Sequence, residues 1–413
     1  MNTEKTNELL RGGQFLVKES VCEDIFTPED FTEEQRMMKE AVMAFNEREI
    51  IAHKDRFENK DFALTEEVMR KAGALGFLGV AVPEAYGGLG MGFVSTLLTC
   101  DYISSGTGSF STAFGAHTGI GTLPITLYGT EEQKQKYIPR LTTGAEVGCF
   151  CLSEPEAGSD ATSQRTTAID KGDHYVLNGV KNWITNGGKA TIQLVIAHTD
   201  KDKGHKGINV FIVERDWEGV TIGPKEDKMG IRSSDTHSIS YADVKVPKEN
   251  RIGADGFGFK FAMQTLEGGR IGIAAQALGI AAGAYEMAVE YAHQRETFGK
   301  PIGQHQAIAF KLADMAMDIE AARMIVYRAA YLKDSGQDYG YASAMAKLIA
   351  SEAAMKHTVE AVQIHGGNGY VKEYHVERLM RDAKITQIYE GTSEIQRIII
   401  SRNVLNGNLE LPM

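Results

Sequence analysis

Glu390 is a carboxylate in a position where it could remove a proton. The segment Ser393-Glu394-Ile395-Gln396 has the pattern of a capping box, with a hydroxyl at the cap and a glutamine three residues on. We predict a helix that starts near Ser393, with Glu390 on the turn before it, where Gly391 has no Cβ to restrict the backbone. N–H groups at a helix start can hold an oxygen that gains negative charge, so this carboxylate suits proton abstraction next to a carbonyl. The residues alone favour a simpler interpretation, a surface glutamate before an ordinary cap.

Four other segments carry groups that could bind a ligand, and each has a simpler structural explanation. Residues 152–160 form a turn rich in hydroxyl and backbone donors, which could merely cap a strand. Trp183, one of two tryptophans, could be a buried indole in a β core. Arg295 follows a predicted helix and could interact with the helix dipole. Residues 363–370 contain enough glycine for a plain helix C-cap.

Composition limits the class of protein. The 413 residues suggest two or three domains, and 43% apolar with 24% charged residues is typical of a soluble globular protein. A net charge of −11 argues against nucleic acid as the main partner. The N-terminus lacks the features of a signal sequence and no apolar run approaches 18 residues, so we expect a cytoplasmic protein without a transmembrane segment.

Cysteine usage argues against both disulfides and metal. Four cysteines in so long a chain do not make a disulfide framework. We expect Cys149 and Cys151 to point to opposite faces of a strand, which disfavours a metal pair, and we predict no metal site.

The positions of the secondary-structure elements predict a mostly helical α+β protein with a helical domain, an antiparallel β domain and a four-helix bundle. Thr32 opens a second capping box, and a helix is expected to start at Thr130. The segments 175–180, 193–198, 208–213 and 238–246 are rich in β-branched and aromatic residues, as strands are. The predicted boundaries are an extension at 1–30, the helical domain at 31–145, the β domain at 146–255 and the bundle at 256–413.

The predicted bundle rests on heptad spacing. Apolar residues alternate at spacings of four and three from Ile273 to Tyr291 and again from Ile308 to Val326, which is typical of long antiparallel helices. No βαβ unit occurs, so a Rossmann fold is excluded.

Ile388-Tyr389-Glu390-Gly391-Thr392-Ser393-Glu394 resembles the catalytic segment of the acyl-CoA dehydrogenases. The "P-E-x-x-G-G"-like loop at 83–88 and the signatures at 152–160 and 363–382 follow that family's order, and the resemblance spans about residues 30 to 405. The resemblance implies FAD as cofactor, an acyl-CoA substrate, an electron-transfer flavoprotein as electron acceptor, and a homotetramer built as a dimer of dimers.

The resemblance also implies roles for individual residues. It makes Glu390 the base, with Arg270 shaping its field or forming only a structural salt bridge. It places the FAD-binding residues in two groups, the second of which reaches FAD in a neighbouring subunit. The first group is Phe150, Cys151, Leu152, Ser153, Ser159, Trp183, Ile184, Thr185, Thr392, Ser393 and Glu394. The second group is Arg295, Phe298, Gln306, Gln363, Ile364, His365, Gly366 and Gly367. The implied substrate-binding residues are Ser159, Glu267, Gly269, Arg270, Tyr389 and Gly391.

Gly269 bears on where the base lies. Some long-chain and branched-chain relatives carry their base immediately before the arginine that matches Arg270. Because glycine occupies that place here, the resemblance assigns the base to Glu390, with Glu267 as the next candidate.

The expected reaction is dehydrogenation of an acyl-CoA to the trans-2-enoyl-CoA, with the β-hydride passing to flavin N5. Residues 265–277 and 381–396 are closest to butyryl-CoA-type members, whereas Gly12-Gly13-Gln14-Phe15-Leu16 resembles the start of the very-long-chain branch. Short-chain substrates are therefore our first expectation. The alternatives are a flavin acyl-CoA oxidase, related chemistry on a CoA thioester, and a flavin-holding assembly protein without catalysis.

Overall fold

The computed structural model describes residues 26–406, which form a helical region, a central sheet and a second helical region in chain order. The predicted α+β class is confirmed. The Gly12–Leu16 motif lies outside the described residues. The α-helices are α1 (Glu33–Phe45), α2 (Lys54–Glu58), α3 (Phe62–Ala74), α4 (Gly92–Ser104), α5 (Gly108–Gly115), α6 (Leu123–Tyr128), α7 (Glu131–Thr142), α8 (Gly258–Gln294), α9 (Gln306–Asp334), α10 (Gly340–His365), α11 (Val376–Thr386) and α12 (Ser393–Leu405).

Two of the predicted helix starts are formed by local side-chain hydrogen bonds. Thr32 accepts a hydrogen bond from Gln35 N at the start of α1, and the Gln35 side chain accepts one from Thr32 N in return. The same reciprocal pair forms between Thr130 and Gln133 at the start of α7. Both predictions are confirmed, because each cap satisfies N–H groups that have no partner inside the helix.

The central sheet has eight strands, of which seven follow the order β6-β7-β3-β2-β4-β5-β8 and β1 pairs with β4. Most neighbours are antiparallel, as predicted, but β1 and β2 both pair with β4 in parallel, so the sheet is mixed. The strands are β1 (Gly148–Cys151), β2 (Thr167–Asp170), β3 (His174–Thr185), β4 (Ile192–His198), β5 (Ile208–Glu214), β6 (Val220–Lys225), β7 (Thr236–Pro247) and β8 (Arg251–Ile252). A two-stranded hairpin of β9 (Glu296–Thr297) and β10 (Lys300–Pro301) joins α8 to α9.

The expectation for Cys149 and Cys151 is wrong. Their Sγ atoms lie 3.6 Å apart in the buried core of the sheet. Residues two apart on a strand share a face, since side chains alternate with a period of two.

The bundle is formed by α8, α9, α10 and α11, and its core continues into α4 of the first helical region. Ile273, Ala277, Ile280 and Ala284 are buried, as the heptad spacing predicts. Among the described helices, α8 has a length and composition that could cross a membrane. However, 72% of its most apolar window is buried inside the protein, and a core helix meets the same criterion.

Asp382 of α11 joins the three regions. Its carboxylate is fully buried and accepts hydrogen bonds from Gly108 N of α5 at 2.9 Å and from Ile231 N of the β6–β7 connection. The neighbouring Arg381 donates to Met229 O at 2.9 Å and pairs with Glu58 at 3.0 Å. These contacts fix the end of α11, and with it the turn that carries Glu390.

Candidate active site

A cavity of about 610 Å³ lies where the two helical regions meet the sheet. Its walls come from α4, α5 and α8, from the ends of β1 and β3, and from the segment 385–395. Most of the predicted site residues line this one cavity. They are Phe150, Leu152, Ser153, Ser159, Trp183, Ile184, Thr185, Gly269, Arg270, Tyr389, Glu390, Gly391 and Thr392.

The turn that carries Glu390 has a left-handed backbone. Glu390 has φ +50° and Gly391 has φ +93°, conformations that a glutamate adopts only when its surroundings enforce them. Helix α12 begins at Ser393, as predicted, but the capping residue is Thr392, whose side chain accepts a hydrogen bond from Ile395 N at 3.3 Å. The predicted cap at Ser393 is therefore wrong by one residue, and Ser393 donates instead to Glu352 of α10 at 2.8 Å.

The carboxylate of Glu390 is directed at α8. A Cβ placed on Gly269 would lie 2.1 Å from Glu390 Oε2, so the absence of a side chain at Gly269 makes room for the carboxylate. Oε2 is buried and has no hydrogen-bond partner among the described residues. Burial raises the pKa of Glu390 to about 7, while the charges of Lys347 and Arg270 lower it. A buried, unpaired carboxylate that is half-ionised near neutral pH has the properties of a general base.

Arg270 is one residue further along α8 and is almost completely buried. Burial lowers its pKa, while the charges of Glu267 and Glu390 raise it. No ion pair of Arg270 is formed within the part of the chain that the structure describes, and its Nε has no hydrogen-bond partner there. Its positive charge therefore acts on the cavity and on Glu390 rather than being neutralised in a salt bridge.

Trp183 is not a buried core residue. The pairing of β3 with β7 is irregular between Lys181 and Ile184, and Trp183 has φ +60° within this bulge. A bulge re-aims a side chain, and here it leaves the indole 60% exposed on the cavity wall. The simpler interpretation of Trp183 as a core indole is therefore wrong.

The loop that follows β1 is held by a buried ion pair. Lys181, which is fully buried, donates to Glu154 Oε1 at 2.7 Å and to Leu152 O at 3.0 Å. Asn182 N donates to Ser153 O at 2.8 Å. These bonds fix the backbone at Ser153, at the point where the loop enters the cavity.

The cavity wall fits a flat aromatic ring with polar edges. The side-chain hydroxyls of Ser153, Ser159 and Thr185 form no hydrogen bond to any described residue, although all three line the cavity. An exposed indole beside free donors on an otherwise apolar wall suits such a ring.

The second predicted group lies at one end of the bundle, away from this cavity. Arg295 caps α8, Gln306 is the first residue of α9, and Gly366 ends α10 with φ +61°. His365 stacks on Tyr291 at 4.2 Å between ring centroids, which joins the ends of α8 and α10. The group therefore clusters within one chain, and its role toward a neighbouring subunit stays a prediction. Phe298, a member of this group, is 96% exposed.

Four predicted residues outside the second group also do not line the cavity. Cys151 is buried in the opposite face of the sheet, and Glu394 is exposed on α12. Ser393 is bonded to α10, as described above. Glu267 is half-buried, and burial raises the pKa of its carboxyl while the charge of Arg270 lowers it.

The sequence interpretation missed two polar residues on bundle helices. Gln276 lines the cavity and donates to Thr112 Oγ1 at 2.8 Å and Ser111 Oγ at 3.0 Å, and its Oε1 accepts from the Tyr389 hydroxyl. Lys347 of α10 is fully buried and donates to Gly391 O at 2.8 Å. Each is a long polar residue in a run of small or apolar residues, a signal that could have identified both.

Comparison with known proteins gives matches over nearly the whole described chain. Three family models match in succession: acyl-CoA dehydrogenase, N-terminal domain, over residues 32–145; middle domain, over 149–244; and C-terminal domain, over 256–405. An acyl-CoA dehydrogenase of Bacillus subtilis is 50% identical over 376 residues, which cover 91% of this chain and 99% of that protein. A short-chain specific acyl-CoA dehydrogenase of Clostridium acetobutylicum is 46% identical over 378 residues, with the same two coverages.

A solved structure agrees with these matches. The crystal structure of an acyl-CoA dehydrogenase complexed with FAD from Bacillus anthracis has a TM-score of 0.91 to this chain at 39% identity. The match covers 97% of this chain and 72% of that one.

Proposed function

Because this chain belongs to the acyl-CoA dehydrogenase family, we propose that it converts a short-chain acyl-CoA into the trans-2-enoyl-CoA, with Glu390 as the base. Membership makes the protein an oxidoreductase that uses FAD. Bound FAD supplies the acceptor for the hydride that leaves the substrate β-carbon. The thioester also loses a proton from its α-carbon, and that proton is left for a residue of this chain to accept.

The observation that carries the proposal is the position of the Glu390 carboxylate. Glu390 lines the cavity, and its buried Oε2 lies against Gly269 without a partner in the described structure. When the α-carbon lies at this carboxylate, the C–H bond breaks, the proton passes to a carboxylate oxygen, and Glu390 becomes a neutral carboxylic acid. The proposed base is thus kept free of hydrogen bonds that would lower its basicity.

Backbone donors beside Glu390 can stabilise the charge that develops on the thioester oxygen. The N–H groups of Glu390, Gly391 and Thr392 donate to no acceptor among the described residues, although this turn lines the cavity. A preorganised donor of this kind typically contributes about 3 kcal/mol to the stability of the transition state. We propose that the Glu390 N–H binds the thioester oxygen.

The residues that would hold FAD are those around the exposed indole. Trp183 would face the ring system, and the free hydroxyls of Ser153 and Thr185 would donate to its polar edge. The Lys181–Glu154 pair keeps this loop in place. The second group, from Arg295 to Gly367, would serve the dinucleotide part in a homotetramer, and its 96% exposed member Phe298 fits a surface that another subunit covers. We propose an electron-transfer flavoprotein as the acceptor of the electrons.

Gln276 supports a short acyl chain. It lies seven residues after Gly269 on α8, two helical turns and about 10 Å further along the same face. Its hydrogen bonds to α5 and to Tyr389 fix its side chain at the cavity wall. We propose that this amide limits the length of the acyl chain that fits beyond Glu390, which favours substrates such as butyryl-CoA.

The substitution Glu390→Gln tests the proposed base. Glutamine keeps the size of the side chain but cannot accept the α-proton, so anaerobic flavin reduction by butyryl-CoA should fall by about 10² to 10⁴. FAD content and binding of a CoA ester should be retained. A Glu390→Gln variant that reduces its flavin at the wild-type rate would place the base elsewhere, with Glu267 the next candidate. Aerobic turnover without a mediator separates an oxidase, since an oxidase forms peroxide at the rate of product.

A further inference from the structure

Lys347 is a buried cation that takes no part in the reaction steps described above. It stands on α10, is fully buried, and its one hydrogen bond within the described residues runs from Nζ to Gly391 O at 2.8 Å. An ammonium group can donate three hydrogen bonds and is costly to bury without a matching charge. The cost of burying Lys347 is therefore offset only in part by its one hydrogen bond to the turn that carries Glu390.

The structure assigns to Lys347 the role of a positioning residue for the base: it fixes the turn that directs Glu390 at the substrate and supplies the positive charge that keeps the carboxylate available. This inference rests on the proposed role of Glu390. Lys347 lies 43 positions before Glu390 in the sequence, on helix α10.

Two side chains from different helices bind the same carbonyl of the strained turn. Gly391 O accepts from Lys347 of α10 at 2.8 Å and from Gln396 Nε2 of α12 at 2.9 Å. Gln396 is also fully buried, and its Nε2 lies 3.5 Å from Glu390 O. Because Glu390 holds an unfavourable left-handed conformation, the turn needs such bonds to persist.

Lys347 also contributes positive charge at the base, together with Arg270. Burial raises the pKa of Glu390 to about 7. Two positive charges lower this pKa, and the effect of Lys347 is larger than that of Arg270. Burial in turn lowers the pKa of Lys347 to about 8, while the charges of Glu390, Glu352 and Glu394 raise it and that of Arg270 lowers it. The titratable groups that face Glu390 are Lys347 from α10, Arg270 from α8, Cys100 from α4 and the adjacent Tyr389.

Two substitutions separate the charge from the hydrogen bond. Lys347→Met removes both, whereas Lys347→Gln removes the charge and keeps a donor for Gly391 O. Removing an opposite charge near a carboxylate raises its pKa by about one unit or more. The acid limb of the kcat/KM profile is the pH range in which kcat/KM falls as the base becomes protonated. This limb should move up by about one pH unit in both variants, because less of the carboxylate is ionised at a given pH. The high-pH plateau should fall about tenfold in Lys347→Met, since the base is misplaced, and stay near wild type in Lys347→Gln.

The test uses the FAD-loaded protein and two readouts. Stopped-flow flavin reduction by butyryl-CoA from pH 5.5 to 9 gives the limb and the plateau. Infrared difference spectra across the same pH range give the protonation of Glu390 directly, with the band lost in Glu390→Gln as the assignment. Lys356→Met, which removes an exposed lysine from the same helix, is the matched control and should leave limb, plateau and band unchanged.

An acid limb and an infrared titration that stay in place in both Lys347 variants would overturn the inference. If Lys347→Met does not fold, Lys347→Gln decides alone, because the shift in the limb depends only on the lost charge. The proposed base fails separately: it is refuted by full activity in Glu390→Gln, whatever the Lys347 variants do.

Discussion

The length of the acyl chain should depend on Gln276. In Gln276→Ala the side chain ends at Cβ, and the space that its amide occupied joins the cavity beyond Glu390. Hexanoyl-CoA has two methylene groups more than butyryl-CoA, and burial of each contributes about 0.8 kcal/mol. The gain of about 1.6 kcal/mol corresponds to about a 15-fold rise in the ratio of kcat/KM for hexanoyl- over butyryl-CoA.

The ratio is the right quantity because the substitution has a second effect. It leaves the Tyr389, Ser111 and Thr112 hydroxyls without their Gln276 partner, and an unsatisfied buried donor costs about 1 to 3 kcal/mol. That cost acts on both substrates in the same variant, so it cancels in the ratio.

The assay is anaerobic flavin reduction by butyryl-, hexanoyl- and octanoyl-CoA, with FAD content measured in parallel. Gln276→Met is the matched control, because methionine loses the hydrogen bonds but has nearly the volume of glutamine, so its chain-length ratio should stay at the wild-type value. A Gln276→Ala variant that keeps FAD, reduces its flavin with butyryl-CoA and shows the wild-type ratio would refute Gln276 as the limit of the acyl chamber.

Four further outcomes follow from the site. The kcat/KM of the wild-type protein should fall tenfold per pH unit below about pH 7, because the carboxylate of Glu390 is the active form and its pKa is raised to about 7; a profile flat from pH 8 to pH 5.5 would contradict this. Gly269→Glu should restore part of the flavin reduction in a Glu390→Gly background, whose empty turn leaves room for the new carboxylate, and no gain over Glu390→Gly alone would show that the two positions do not share one α-carbon. Lys181→Met should lower the free energy of unfolding by about 3 to 5 kcal/mol, measured by chemical denaturation, because it leaves the buried Glu154 carboxylate without its positively charged partner. Lys189→Met, which removes an exposed ion pair, is the control. Arg295→Ala should weaken FAD retention and subunit association together, and a flavin-loaded monomer in sedimentation would disprove a shared site.

Much of the fold follows from short-range patterns in the sequence. The capping threonines at 32 and 130 and the heptads from Ile273 and Ile308 predict helices correctly, because capping and side-chain periodicity depend on neighbours within one or two turns. Enrichment in β-branched and aromatic residues locates the main strands, because it too is a property of a short segment. The parallel pairing of β1 with β4 was not predicted, since no local pattern states which distant strand becomes a neighbour.

The candidate base was found through its local segment, but its chemistry was decided by tertiary contacts. The sequence by itself determined that Glu390 stands on a turn before a helix, and that Gly269 leaves the alternative base position empty. Only the packed structure brings Gly269, Arg270 and Lys347 around the same carboxylate. Gly269 and Arg270 lie on α8, more than a hundred residues before Glu390 in the sequence, and Lys347 lies on α10, 43 residues before it. Burial raises the pKa of the carboxylate and the two cations lower it, and both effects depend on distance and solvent exclusion, which sequence spacing does not encode.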